Sequence, residues 1–172
     1  MEKGCVQVYT GDGKGKTTAA LGLALRAAGA GLRVLIVQFM KSGACSEHAA
    51  LARLADRITV RHCGRDAFVR GEASPEDVRL AADGLRDATE SLRSGRFDVV
   101  ILDEACVAVH FKLFSAAELV DAIRGRRPGT EVVVTGRRAP PELLAAADLV
   151  TEMREVRHYF AAGVPARRGI ES

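Results

Sequence analysis

Three short runs of almost unbroken apolar residues constrain the fold of this chain most. They are LRVLIVQF at Leu32–Phe39, FDVVIL at Phe97–Leu102 and EVVVT at Glu131–Thr135. Each has strand length and is rich in branched residues. Strands without apolar–polar alternation are buried on both faces, which is the signature of a parallel sheet covered by helices. The intervening segments supply the helices. Lys16–Ala30, Glu47–Ala55, Ala116–Ile123 and Pro141–Ala146 read as helical, and a longer helix runs from Pro75 to about Leu92. Ser74 suits its N-cap, Pro75 its first turn and Asp77 the box position three residues on. Weaker strands are expected at Cys5–Thr10, Ile58–His62 and Asp148–Met153. The fold class predicted is α/β: one phosphate-loop NTPase-like domain over residues 1–172, mostly parallel, with helices on both faces. Ligands of such sheets bind at the carboxyl ends of the strands.

Composition narrows the function classes. The net charge of +3, from 25 basic and 22 acidic residues, is too even to point to nucleic acid. Aromatics make up 5% and Trp is absent, so stacking platforms for bases are few. No apolar run has membrane-spanning length. No signal peptide precedes the first strand, and the four cysteines form no C-x-x-C pair. These features lead us to expect a cytoplasmic, reduced protein that engages neither membrane nor nucleic acid.

After the first strand comes TGDGKGKTT, Thr10–Thr18, opening directly into a helix. The general phosphate loop is G-x-x-x-x-G-K-[ST]. Gly15, Lys16 and Thr17 match its end, but its first glycine falls on Thr10, and Gly11 is one residue too close. The logic survives the shortening. Gly11, Gly13 and Gly15 allow backbone angles that turn N–H groups toward phosphate oxygens. The helix N-terminus adds partial positive charge, Lys16 adds a full one, and Thr17 offers a hydroxyl to Mg²⁺. Gly11, Asp12, Gly13, Lys14, Gly15, Lys16, Thr17 and Thr18 are therefore the candidate triphosphate cradle. The apolar run Phe97–Leu102 ends in Asp103 and Glu104, an acidic strand end of the kind that serves the metal beside such a loop. Either carboxylate qualifies as the direct ligand, and Glu104 is also placed to orient a nucleophile.

Together these segments carry a specific resemblance. VYTGDGKGKTTAALGLALRA, VLIVQFMK, VVILDE and the C-terminal VVVTGR…APPELLAAADLVTEMREVRHYF…AG…GIE resemble the phosphate-loop ATP:corrinoid adenosyltransferases over nearly the whole chain. The resemblance implies transfer of the 5′-deoxyadenosyl group of ATP to the cobalt of a corrinoid reduced to Co(I), with release of triphosphate. It implies ATP in reversed orientation, with its γ-phosphate deep in the loop. Carried over by position, Gly11–Thr18 bind triphosphate, Thr17 and Glu104 serve Mg²⁺ (or Mn²⁺), and Arg26 and Arg137 reach ATP. The resemblance further implies a homodimer and an electron-donating reductase such as a flavoprotein. Lys16, Glu104 and Arg137 are the residues expected to carry catalysis. No catalytic Cys, Ser or His is expected, because Co(I) is itself the nucleophile and the protein supplies orientation and charge.

The chain departs from the family in three places. It has four residues before CVQVY where many members carry a helix that helps cover the site. In GRDAFVRGEASPED, Phe68 matches the phenylalanine of a phenylalanine–x–tryptophan element against the corrinoid face, but Arg70 replaces the tryptophan. The acidic pair is followed by Ala105 and Cys106, with His110 beyond, where the family has Leu-Asn or Leu-Thr. Cys106 and His110 are open to two readings, packing or approach to the corrinoid. His62 and Cys63 are adjacent, with no second pair at zinc-ligand spacing. Two other functions fit the loop alone: an ATPase or kinase acting on another small molecule, and a non-catalytic ATP-dependent corrinoid-binding module.

Overall fold

A computed structural model describes residues 2–40, 45–65 and 73–171. Its centre is a six-stranded sheet in the order β3-β2-β4-β5-β1-β6, parallel throughout. The strands are β1 (Val6–Thr10), β2 (Val34–Phe39), β3 (Ile58–Cys63), β4 (Val99–Asp103), β5 (Glu131–Thr135) and β6 (Leu149–Glu152). All six were expected from the sequence. Among the described residues six helices accompany them: α1 (Lys16–Gly29), α2 (Ser46–Leu51), α3 (Pro75–Ser94), α4 (Ala105–His110), α5 (Ala116–Arg124) and α6 (Pro141–Ala146). Short 3₁₀ turns lie at Ala52–Leu54 and Tyr159–Ala162.

The two faces of the sheet bury separate cores. On one face Leu35, Val37, Phe39, Val100, Leu102, Val132 and Val134 pack against α3, α5 and α6. On the other Val34, Ile36, Val99, Ile101 and Val133 meet Ala20, Ala24 and Ala27 of α1. Those alanines recur with helical spacing on one stripe of α1. Their small side chains let the helix lie close to the sheet, which fixes where its N-terminus, and hence the glycine loop, must sit.

α3 begins as its sequence signals require. Ser74 accepts from the Asp77 N–H, and the Asp77 carboxylate accepts in return from the Ser74 N–H. Arg65 clamps the same carboxylate with two bonds of 2.7 Å. Gly95 ends the helix in the left-handed region at φ 68°.

The 3₁₀ turn at Tyr159–Ala162 and the helix α4 were not legible in advance. α4 follows β4 at once, where only an acidic strand end is read from the sequence. ACVAVH is too short and too rich in branched residues for periodicity to identify. The helix starts because Glu104 takes φ 60°, turning the chain sharply off the strand.

Candidate functional site

The glycine loop leaves β1 at its carboxyl end and enters α1 through Gly15, whose φ is 121°. Gly11 also has positive φ, at 93°. Gly13 does not, and its requirement is steric rather than conformational. A Cβ on Gly13 would lie 2.7 Å from the Met153 carbonyl oxygen and 2.8 Å from Arg154 C, and one on Gly11 would lie 2.4 Å from the same carbonyl oxygen. The loop is thus pressed against the chain leaving β6. Met153 N–H donates to the Thr10 carbonyl (2.8 Å), and Gly13 N–H donates to the Met153 carbonyl (2.7 Å). The Gly13 N–H is therefore engaged by the Met153 carbonyl, so of the loop glycines expected to turn amides toward phosphate this one is directed elsewhere in this structure. The first-turn amides of α1 remain directed at the loop, as helix geometry demands.

Lys16 is buried, and its ammonium lies inside the loop, donating to the carbonyls of Gly11 and Gly13 at 2.7 Å each. Burial lowers its pKa, and the nearby Arg137 guanidinium lowers it further, while Glu104 and Asp12 act in the opposite sense. Four of the residues expected in the site, Lys16, Arg137, Glu104 and Asp12, therefore share one electrostatic environment. Arg137 follows Gly136 at the end of β5, and Gly136 has φ 138°. A Cβ there would stand 2.8 Å from Cys106 Cβ.

Asp103 and Glu104 take different positions. Asp103 is fully buried. Its Oδ1 accepts from the Thr17 hydroxyl (2.8 Å) and the Thr135 hydroxyl (2.7 Å), and its Oδ2 accepts from the Gln38 amide (3.1 Å). Glu104 is partly exposed beside it, and its N–H donates to Thr135 Oγ1 (2.9 Å). Strain accumulates along this edge. Met40 after β2, Glu104 after β4 and Arg138 after β5 all have φ near 60°. Such conformations cost on the order of 1–3 kcal/mol each and gather at functional sites.

Not every expected residue joins the cluster. Arg26 sits in the last turn of α1, ten residues from Lys16, or about 15 Å of helix rise. Lys14 points away from the cradle and donates to the Ile170 carbonyl (2.9 Å). Thr18 is exposed on the first turn, whereas Asp12, exposed on the loop, stays within electrostatic reach of Lys16. Phe68 and Arg70 lie outside the described residues. Cys106 is buried, and burial pushes its thiol up to about 12, so it packs rather than reacts. His110 is exposed at the end of α4, edge-on to Phe111, with the Arg138 guanidinium donating to its Nε2.

Two residues of the network were missed in the sequence, Gln38 and Thr135. Each had a visible signal: Gln38 is polar within a fully buried strand, and Thr135 is a buried polar residue closing a run of three buried valines. A buried polar group there must have partners.

The whole chain matches one family model, ATP:corrinoid adenosyltransferase BtuR/CobO/CobP, over residues 2–172. The chain belongs to this family. Its activity is that of a transferase moving an adenosyl group from ATP to a corrinoid in adenosylcobalamin synthesis. Corrinoid adenosyltransferases of Pseudomonas aeruginosa and Escherichia coli K12 are 34% and 36% identical to it. Each alignment covers 99% of this chain, with 84% of the first relative and 86% of the second. A crystal structure of the flagellar accessory protein FlaH from Methanocaldococcus jannaschii superposes with TM-score 0.60 at 14% identity, covering 88% of this chain and 72% of that one. At that identity the likeness concerns the fold alone. Among the described residues no helix is long and apolar enough to cross a membrane.

Proposed function

We propose that the loop holds the triphosphate of ATP as a leaving group while the reaction occurs at C5′ of the ribose. The observation that carries this is the convergence of Lys16, Arg137 and the α1 N-terminus on one loop, beside a carboxylate pair of which only Glu104 is outward-facing. The cations are gathered where a polyanion would lie. In the reaction, an electron pair of Co(I) forms the Co–C5′ bond. The C5′–O bond breaks, and its electrons leave on triphosphate. Lys16 and Arg137 neutralise that departing charge.

The donors beside the loop fit a hard cation, because the Thr17 hydroxyl and the Glu104 carboxylate are both oxygen ligands. We assign Mg²⁺ (or Mn²⁺) to these two. When bound, it would offset triphosphate charge. Asp103 serves it indirectly: by taking the hydrogen of the Thr17 hydroxyl, it leaves the lone pairs of Thr17 Oγ1 facing the loop. Arg26 is too far along α1 to meet the phosphates beside Lys16, so we place it toward the adenosine end of ATP. The chain acts as a single adenosyltransferase domain, as a homodimer, and receives its Co(I) substrate through an electron-donating reductase.

The test is spectroscopic. With Mg-ATP and a chemically reduced Co(I)-corrinoid, the protein is expected to form adenosylcorrinoid, and Lys16→Ala is expected to abolish ATP binding and turnover while retaining the fold. Unchanged ATP affinity in Lys16→Ala contradicts the site assignment.

A further inference from the structure

Four neighbouring strands place a polar residue at one level, on the sheet face that α1 packs against. These are His62 of β3, Gln38 of β2, Asp103 of β4 and Thr135 of β5. The register pairs Gln38 with His62 on one side and with Asp103 on the other. Thr135 stands one step beyond the Leu102–Val134 pair and bonds Asp103. The phosphate site accounts for Asp103 and Thr135. It does not account for the fully buried Gln38, nor for His48 of α2, which reaches down to it.

Donor and acceptor roles in this chain are fully determined. The Cys45 backbone N–H can only donate, and it donates to His48 Nδ1 (3.3 Å). His48 Nδ1 is therefore unprotonated, so Nε2 carries the hydrogen of the neutral ring. Nε2 donates to Gln38 Oε1 at 2.6 Å. With its oxygen so engaged, the Gln38 amide turns its NH₂ to Asp103 Oδ2. The opposite flip would set two acceptors, the amide oxygen and the carboxylate, against each other, and two donors against each other at His48. The His62 ring packs edge-on to His48, with centroids 4.5 Å apart, and supports the imidazole in place.

We propose that His48 is a positioning residue for the metal–triphosphate site, acting through Gln38 and Asp103 on the Thr17 hydroxyl. The proposal rests on the reading above that Thr17 serves the metal. A fixed Gln38 amide holds Asp103 in one rotamer, with Oδ1 aligned on both threonine hydroxyls. Thr17 must then donate backward and present its lone pairs to the loop. Three hydrogen bonds separate His48 from Thr17, yet it sets the direction of that hydroxyl.

Two substitutions separate positioning from support. His48→Gln puts an amide NH₂ near the place of Nε2, whereas His48→Ala removes the donor. His48 is only half-buried, so both variants should fold. Equilibrium ATP binding is measured with Mg²⁺ and again with EDTA. With Mg²⁺, His48→Ala is expected to weaken binding about tenfold, the lower end of what outer-shell partners of a metal site contribute. His48→Gln is expected to restore most of that loss. With EDTA all three proteins should bind alike, which a merely structural role would not produce. Gln38→Met breaks the same chain one link nearer and should show the same Mg²⁺-restricted loss. In a Thr17→Val background, His48→Ala should add nothing, because the path ends at Thr17. Unchanged Mg-ATP binding in His48→Ala or Gln38→Met overturns the proposal. So does an equal loss in EDTA, or an undiminished effect in Thr17→Val. If Thr17→Val itself leaves Mg-ATP binding intact, the assignment of Thr17 to the metal is what fails.

Discussion

The two faces of the sheet are built from the same strands and end differently. Toward α3, β2 finishes on Phe39, whose ring meets Phe114 edge-on at 5.2 Å between centroids. That face is apolar to its carboxyl end. Toward α1, the same strand finishes on Gln38, and its neighbours finish on Asp103 and Thr135. One residue of offset separates a packing position from a network position, because side chains alternate across a strand. The comparison teaches where to look for chemistry in such a sheet. Stability is stored on the face that stays apolar. The candidate site lies where a polar rung interrupts the apolar core next to the N-terminus of the helix that begins at the loop.

The contrast can be broken most forcefully at Phe39. Phe39→Ala should lower the unfolding free energy by about 3–5 kcal/mol in chemical denaturation, as large core truncations do. ATP affinity of the folded fraction should hardly change. A selective loss of ATP binding at full stability would erase the distinction between the faces. Gly136→Ala comes next, since it couples both faces. A left-handed alanine costs about 1–3 kcal/mol, and its Cβ meets Cys106 in the opposite core. Thermal unfolding should show the loss, and adenosyl transfer should fall further than stability alone explains, because Arg137 is displaced.

Asp103→Asn probes the polar rung with little change of shape. Mg-ATP affinity should fall about 10- to 100-fold, the scale of outer-shell partners. The denaturation midpoint should move less than in Phe39→Ala. The reverse ranking would make Asp103 a structural residue. The smallest effect is expected at Cys106. With its thiol pushed up to about 12 by burial and by the nearby Glu104, it is protonated at pH 8 and should resist alkylation in the folded protein. Cys106→Ala should keep adenosyl transfer within about a factor of two, a change worth under 1 kcal/mol. A tenfold loss would reopen a role at the corrinoid.

The sheet was legible because its strands are short, apolar and bounded by loop and cap signals that act locally. β2, β4 and β5 are buried on both sides, and their sequences say so directly. The glycine loop was equally plain, since three glycines, Lys16 and Thr17 run from the end of β1 into the first turn of α1. What stayed hidden depended on contacts distant in the chain. The reason for Gly13 is the Met153 backbone, some 140 residues away. The difference between Asp103 and Glu104 follows from strand pairing that aligns Asp103 with Gln38 and brings Thr135 beside it. α4 escaped because a left-handed Glu104, not a helical pattern, starts it. Arg26 is assigned to ATP by resemblance, and helix rise separates it from the loop and so from the phosphate end.

The central claim is that the loop grips triphosphate as a leaving group rather than as a donor of phosphate. Phosphorus NMR of a reaction with Mg-ATP and Co(I)-corrinoid tests it most directly. The account predicts inorganic triphosphate in one-to-one yield with adenosylcorrinoid, and no product when the corrinoid is withheld. ADP and inorganic phosphate accumulating without corrinoid would contradict it.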